Sequence, residues 1–340
     1  MPDRVFLTGI SGFIGGHVAL ALLRAGYAVR GSLRDPRRAD EVRETLARAG
    51  ADLGALELVT LDLMEDAGWD EAARGCRYLQ HVASPLAARM PRNREELIRP
   101  AVEGTRRALA AALDAGIERV VLTSSAAAIA YGHPAGRRAP FTSADWSRTE
   151  GDGVSAYTES KTSAELEAWS IMEAAGRRDD LAVINPSVVL VPLLGNDPGI
   201  SAIVVKRLLD GTAPAAPRIR FGVVDVRDVA ALHVNAMQKP EAGGRRFPAS
   251  AANISLLELA QALRSAFPAF SRRLPRFELP DWLVRLYALL DPDVRANLGS
   301  LGRSRELDAS EAMALLGRSF ITPRVAAAAT ARSLIDYGLV

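Results

Sequence analysis

Apolar and polar positions follow two alternating periods along the first half of the chain. RVFLT, from Arg4 to Thr8, is a short apolar run suited to a buried strand, and the segment after it is an amphipathic helix closing before Gly26. A second strand pattern, in YAVRGSLRDPRR, ends near Leu33. LELVTLDL leads as a strand to Asp62 and Leu63, and RYLQHVASP leads as another to a turn at Ser84 and Pro85. A long helical stretch from Arg94 to Ala115, stopped by Gly116, feeds the strand RVVLTSSA. A polar excursion bearing Gly and Pro, Gly132 to Gly153, separates it from the helix in GVSAYTESKTSAELEAW and the strand LAVINPS. This rhythm, kept through about residue 186, predicts an α/β protein with a doubly wound parallel sheet and helices on both faces. Farther on the pattern loosens. RFGVVDVRDVAALHVNAM predicts one more strand–helix unit with Asp225 or Asp228 near the helix start, and the C-terminal part is mainly helical, with Asn253, Ser255 and Thr322–Pro323 as helix starts.

Between the first strand and its helix stand Gly9, Gly12 and Gly15, in the spacing G-x-x-G-x-x-G. The first glycine permits a tight turn, the second lets backbone approach a pyrophosphate, and the third lets the helix pack closely on the strand. The helix N-terminus then faces the phosphates. This predicts a Rossmann-type dinucleotide-binding domain spanning 1–186 and 218–250, with a smaller, mainly helical substrate-binding domain at 187–217 and 251–340. Chains that bind NAD carry an acid at the end of the second strand for the ribose 2′-hydroxyl. Here that place holds Leu33, followed at once by Arg34, with Arg37 and Arg38 close behind. A guanidinium grips a 2′-phosphate with paired hydrogen bonds, whereas a carboxylate repels it. The cofactor expected is therefore NADP(H), with Asp35 the competing ribose acid if the strand runs longer.

Tyr157 and Lys161 lie four apart, on one face of a helix. An ammonium there favours the phenolate and draws the phenol's reference pKa of roughly 10 toward neutrality, so that the tyrosine can exchange a proton with a reacting oxygen. The chain has only three lysines, Lys161, Lys206 and Lys239, and arginine otherwise serves as its cation, so a lysine kept at 161 fits a need for a compact ammonium. Thr123, Ser124 and Ser125 end the strand RVVLTSSA, on the side where parallel sheets place their ligands. A serine hydroxyl there can hold a substrate carbonyl beside Tyr157.

Composition narrows the field. A chain of 340 residues with net charge +2 and 49% hydrophobic residues suits one large or two intimate domains and gives no reason to expect nucleic acid. Cys76 is alone, so neither a disulfide framework nor a cysteine zinc site is expected, and the four histidines lack metal-ligand spacing. No apolar run approaches the ~20 residues of a membrane span, and the first strand starts too early for a signal peptide. A cytoplasmic enzyme with a small-molecule carbonyl or alcohol substrate, as a monomer or homodimer, without metal, membrane or nucleic-acid partner, is expected.

The motifs TGISGFIG, LRDP, LDL, HVASP, PAVEGT, TSS, YTESK, INPSVVLVP and VVDVRDVAALHV, in this order, resemble those of the extended short-chain dehydrogenase/reductase family from end to end. The nearest likeness is to its dihydroflavonol-reductase-like branch, which includes microbial NADPH-dependent aldehyde and ketone reductases. The resemblance implies that Ser125 is the catalytic serine, Tyr157 the proton donor, and Lys161 the residue that tunes it and binds the nicotinamide ribose. It further implies that Ser11, Gly12, Phe13 and Ile14 line the pyrophosphate and that Asp62 and Leu63 border the adenine. Val82, Ala83 and Ser84 would follow the cofactor's ribose, and Pro186 and Val188 would pack at the nicotinamide. Thr123 and Ser201 are further cofactor candidates. Ser84, Ala127, Ala130, Tyr131, Trp146 and Leu193 are candidates for the substrate pocket.

Three positions depart from that pattern. Plant dihydroflavonol reductases carry an asparagine five residues after the catalytic serine, where this chain has Ala130, which argues against a dihydroflavonol substrate. Arg106 and Arg107 follow PAVEGT where relatives often have an asparagine, which argues against a borrowed proton-relay role for that helix. The function expected is hydride transfer to a hydrophobic aldehyde or ketone. The competing readings are an NAD-dependent nucleotide-sugar epimerase or dehydratase, a hydroxysteroid-type dehydrogenase, and a non-catalytic redox sensor or scaffold.

Overall fold

The computed structural model describes residues 2–85, 93–134, 136–151, 154–190, 192–195, 199–213, 215–290, 294–295 and 298–340, without the side chains of Ile200, Ser201 and Ser300. Six strands come from the alternating region: β1 (Arg4–Thr8), β2 (Ala28–Leu33), β3 (Leu56–Thr60), β4 (Tyr78–His81), β5 (Arg119–Thr123) and β6 (Leu181–Pro186). A three-stranded sheet holds β7 (Val188–Leu190), β9 (Arg220–Asp225) and β11 (Ala252–Ser255), and β8 (Ala216–Pro217) pairs with β12 (Glu278–Leu279). The remaining strand, β10 (Arg245–Ala249), joins the first six in a parallel sheet of order β10-β6-β5-β4-β1-β2-β3.

Side chains alternate across a strand, so a sheet covered on both faces needs apolar residues at every position. β1 shows this directly. Val5 and Leu7 enter one core cluster, Phe6 the other, and all three are fully buried. The first cluster lies beneath helices α1 (Phe13–Arg24), α2 (Ala39–Arg48), α6 (Gly199–Leu209) and α7 (Val226–Gln238). The second lies beneath α3 (Trp69–Ala73), α4 (Glu95–Asp114) and α5 (Ala156–Ala174). Strand order reverses between β1 and β4, and at such a point a crevice opens at the carboxyl ends of the strands. The glycine turn after β1 and the hydroxyl run after β5 both reach that side.

The helix starts follow local chemistry. Asp225 caps α7, its carboxylate accepting from Arg227 N at 2.9 Å, so of the two aspartates Asp225 is the cap. Ser255 and Glu258 form a capping box on α8 (Leu256–Ala266). After α9 (Asp281–Tyr287) and α10 (Ser310–Leu316), Thr322 caps α11 (Pro323–Asp336). Asn253 starts no helix. It sits inside β11, opposite Gly222 of β9, because the ladder occupies its backbone and Ser255 takes the cap two residues later. The segment RFGVVDV also differs from expectation in its placement. β9 leaves the large sheet to pair with β7 and β11, and β10 takes the place beside β6.

Candidate active site

The glycine turn is built to bring backbone close to backbone. Gly9 has φ +74°, and a Cβ there would stand 2.8 Å from Ala83 Cα. At Gly15 a Cβ would stand 2.0 Å from the carbonyl oxygen of Gly9, so the helix can sit on the turn only without a side chain. At Gly12 the same atom would meet only Gly9 O, at 3.2 Å. Gly12 is the N-cap of α1 and supplies no side-chain cap, which leaves the first N–H groups of the helix, through Phe13 and Ile14, for an anion. Ser11 is half-buried in the same turn. These residues fit a dinucleotide pyrophosphate. Gly15→Ala is expected to cost about 1–3 kcal/mol of stability and to abolish nucleotide binding, measured by thermal unfolding and fluorescence titration.

Thr8 joins the two strands at the reversal. Its Oγ1 accepts from Val82 N at 3.1 Å and Ala83 N at 3.0 Å and lies 2.9 Å from His81 Nδ1. Burial lowers the His81 pKa to about 3, which keeps the ring neutral. Asp62 caps its own turn through Met64 N at 2.9 Å, and Leu63 fills the space left by Gly104, where a Cβ would be 2.7 Å from its Cδ2. Arg106 and Arg107 are surface tethers, to Glu167 and Glu103 and to Asp66 respectively.

β2 ends at Leu33, and Arg34 follows it exposed, with no ion pair among the described residues. Asp35 is already engaged. It caps the next turn through Arg37 N at 3.1 Å and binds the Arg37 guanidinium at 2.8 and 2.9 Å, a pairing that lowers its pKa. Arg38 pairs with Glu41. Of the arginines at this strand end, Arg34 is therefore the one without an ion pair among the described residues.

The three hydroxyls after β5 part company. Thr123 Oγ1 lies 2.9 Å from Nε2 of His233, a buried ring whose Nδ1 is 2.7 Å from Gln80 Oε1. Ser124 donates to Glu165 at 2.5 Å. Only Ser125 meets the tyrosine, whose Oη donates to Ser125 Oγ at 3.4 Å. Ser125 is fixed as the cap of the short turn Ala126–Ala128, accepting from Ala127 N at 3.1 Å. α5 begins behind its own cap, Ser155, which accepts from Thr158 N, and carries Tyr157 and Lys161 one turn apart.

Burial governs both titrating groups. Desolvation raises the Tyr157 pKa, opposed by the hydrogen bond that Tyr157 donates to Ser125, so the shift runs away from the expected drop toward neutrality. Desolvation lowers Lys161 to about 8, opposed by the charge of Glu165. The lysine makes no hydrogen bond or ion pair among the described residues. It opens instead on a cavity of about 10 Å³, room for roughly one water, lined also by Ser84, Thr105, Ser124 and Glu165.

The pocket candidates divide. Ala130 and Tyr131 pack with Ile129 and Phe141, and Ala127 lies buried next to Ser125. Tyr131 is near enough to raise the Tyr157 pKa further. Trp146 stacks on the Arg246 guanidinium, 3.7 Å from ring centre to Cζ, and Leu193 is buried in the core. Pro186 is buried at the end of β6, and Val188 begins β7, half-buried. Ser201 lies in α6, its side chain outside the described residues. Sequence reasoning missed Thr8, Glu165, Arg246 and Arg305, whose guanidinium stands 4.4 Å from the Tyr131 ring centre. A signal existed for Glu165 alone, an acid four residues after Lys161 on the same helical face. Among the described residues no three His, Cys, Asp or Glu side chains converge on a metal site, and no helix is long and apolar enough to cross a membrane.

A parallel sheet with a strand-order reversal, and at that reversal a glycine turn backed by an uncapped helix, define the Rossmann-type class of dinucleotide-dependent enzymes. Residues 5–249 match the model of the NAD dependent epimerase/dehydratase family, and the chain belongs to that family, within the extended short-chain dehydrogenases/reductases. It is 34% identical to tetraketide alpha-pyrone reductase 2 of Arabidopsis thaliana over 79% of this chain and 84% of the relative. It is 38% identical to cinnamoyl-CoA reductase 1 of Oryza sativa subsp. japonica, over 78% of this chain and 76% of the relative. Among solved structures, yeast methylglyoxal/isovaleraldehyde reductase Gre2 complexed with NADPH superposes with a TM-score of 0.79 at 25% identity, covering 99% of this chain and all of that one. The chain is an oxidoreductase of this group.

Proposed function

We propose that this chain is an NADPH-dependent carbonyl reductase that acts on a hydrophobic aldehyde or ketone, with Tyr157 as proton donor. The observation that carries the reading is the Tyr157–Ser125 hydroxyl pair, 3.4 Å apart at the crevice beside the glycine turn, with Lys161 one helical turn behind. Both hydroxyls can donate to one carbonyl oxygen, and such contacts shorten when the reacting oxygen arrives between them. The cofactor would be held by the turn from Gly9 to Gly15, by Arg34 and by Lys161, and when bound it supplies the hydride. As negative charge builds on the substrate oxygen, Tyr157 passes its proton there, and the Lys161 ammonium steadies the phenolate that remains. A raised phenol pKa suits this direction, since the tyrosine starts protonated.

The apolar and aromatic side chains that follow Ser125, among them Ala127, Ala130 and Tyr131, support a hydrophobic substrate. The named activities of the relatives, on a tetraketide alpha-pyrone, a cinnamoyl thioester and methylglyoxal or isovaleraldehyde, support a carbonyl substrate in preference to a nucleotide sugar. A lone buried thiol, Cys76, fits a reducing cytoplasm. The test is turnover of the pure protein on aryl ketones, β-keto esters and aliphatic aldehydes, against UDP- and GDP-sugars, with NADPH and NADH in parallel. Reduction of the ketones to one predominant alcohol enantiomer is expected, and a preference for nucleotide sugars would overturn the reading.

Arg34 sets the cofactor preference. Arg34→Gln removes a charge-assisted contact worth about 1.5–3 kcal/mol, so NADPH affinity is expected to fall by roughly 10- to 100-fold while NADH is little changed. Titration of both nucleotides against both proteins checks this, and equal affinities in the unmodified protein would reject it.

A further inference from the structure

Behind the Ser–Tyr–Lys centre lies a buried polar cluster organised around Glu165. Its carboxylate is fully buried, and both oxygens are engaged. One accepts from Ser124 Oγ at 2.5 Å and Asn185 Nδ2 at 2.7 Å, and the other from Arg246 Nε at 2.5 Å. Asn185 also donates to the carbonyl of Ser125 at 3.3 Å. Arg246 continues outward to the carbonyls of Ser143 and Asp145, at 2.8 and 2.6 Å, and stacks on Trp146. One carboxylate thus ties α5 to the ends of β5 and β6, to β10, and to the polar excursion.

A buried ion pair is weak evidence for stability, because desolvating two charges offsets much of their attraction. Its position says more. Glu165 stands one turn past Lys161 on α5 and lines the same small cavity, while the serine it grips precedes the serine that meets Tyr157. We propose that Glu165 is a positioning residue of the reductase centre, holding the Ser124–Ser125 strand end in register and keeping the buried Lys161 ammonium charged. The proposal rests on the Ser125–Tyr157–Lys161 reading given above.

The groups facing Lys161 make the electrostatic half specific. From β4 comes His81, held neutral by burial, and from α5 itself come Tyr157 and Glu165. Glu165 is the anion among them, and its charge works against the burial that lowers the lysine's pKa. Arg246 pairs with its other oxygen, Nε to Oε1 at 2.5 Å.

The test compares Glu165→Gln, the double variant Glu165→Gln/Arg246→Met, and Tyr157→Phe, each as the full chain. Readouts are melting temperature, NADPH dissociation constant, kcat, and the pH profile of kcat/KM for NADPH. Glu165→Gln is expected to lower kcat by about tenfold or more and to move the alkaline limb down by roughly one pH unit. The NADPH dissociation constant should change by less than about threefold at pH 7, where about half of the lysine remains charged. That substitution strands Arg246, so the single variant alone can fail by unfolding. The double variant removes both charges and is expected to recover the melting temperature while kcat stays low and the limb stays displaced. Recovery of kcat and of the original pH profile together with the fold would reduce the pair to a structural role and overturn the proposal. Tyr157→Phe separates the two readings. If it stays active, the assignment of the centre fails, whereas if it is inactive and the double variant is fully active, only the role of Glu165 fails.

Discussion

Tyr157→Phe is expected to lower turnover by at least about a hundredfold on every accepted substrate. The reasoning starts from what the substitution spares. The ring stays in its half-buried place at the start of α5, and the lost hydroxyl makes one hydrogen bond among the described residues, to Ser125 at 3.4 Å. No buried partner is stranded, since Ser125 Oγ still accepts from Ala127 N at 3.1 Å. The melting temperature and the NADPH dissociation constant should therefore stay close to those of the unmodified protein. What disappears is the proton for the developing alkoxide. Ser125 can still donate a hydrogen bond there, but among the described residues its hydroxyl is bonded to no basic side chain that would help it give up its proton, and this sets the small residual rate. The measurement is single-turnover reduction of an accepted ketone beside a fluorescence titration of cofactor. Retention of most of the activity with unchanged binding would remove Tyr157 from the chemistry.

The fold was readable because both of its periods are written plainly. Strands buried on two faces have no polar alternation to confuse, and β1 and β6 carry the apolar runs Val5–Leu7 and Leu181–Ile184. The cofactor side was also readable, since Gly9 and Gly15 are demanded by backbone contacts that no other residue permits. Asn253 was misread because an asparagine before an apolar helix is a reasonable cap until a partner strand claims its backbone, and β9 lies some thirty residues away in sequence. The tyrosine's pKa was misjudged for a related reason. Helical spacing gives the nearness of Lys161, but only the folded crevice shows that burial raises the phenol against its hydrogen bond to Ser125. Arg246 and Arg305 carry no local signal in a chain that uses arginine almost everywhere. Their partners, Glu165 and Tyr131, come from distant segments.

Lys161→Met is expected to do two opposite things, to cripple the enzyme and to stabilise the fold. The ammonium is buried and has no hydrogen-bond partner among the described residues, so no side chain there competes with the proposed phenolate and cofactor for it. Its loss should cut kcat by about a hundredfold or more. NADPH binding should weaken by about tenfold or more, as a charged hydrogen bond worth roughly 1.5–3 kcal/mol is lost. The stability effect follows from the sign of the pKa shift. Burial lowers the lysine from 10.5 to about 8, so the folded state holds this proton less tightly than the unfolded state does. The penalty is fully present below about pH 8 and is relieved as pH rises toward 10.5. At pH 7 an unbranched apolar side chain in the same space should therefore raise the melting temperature, and the gain should shrink as pH climbs through that window. In the unmodified enzyme kcat/KM for NADPH should fall above about pH 8 as the ammonium is lost, and Lys161→Met should lack that limb. A variant that melts lower at pH 7, or one that keeps the alkaline limb, would show that Lys161 is an ordinary structural cation and that the charge acting on Tyr157 comes from elsewhere.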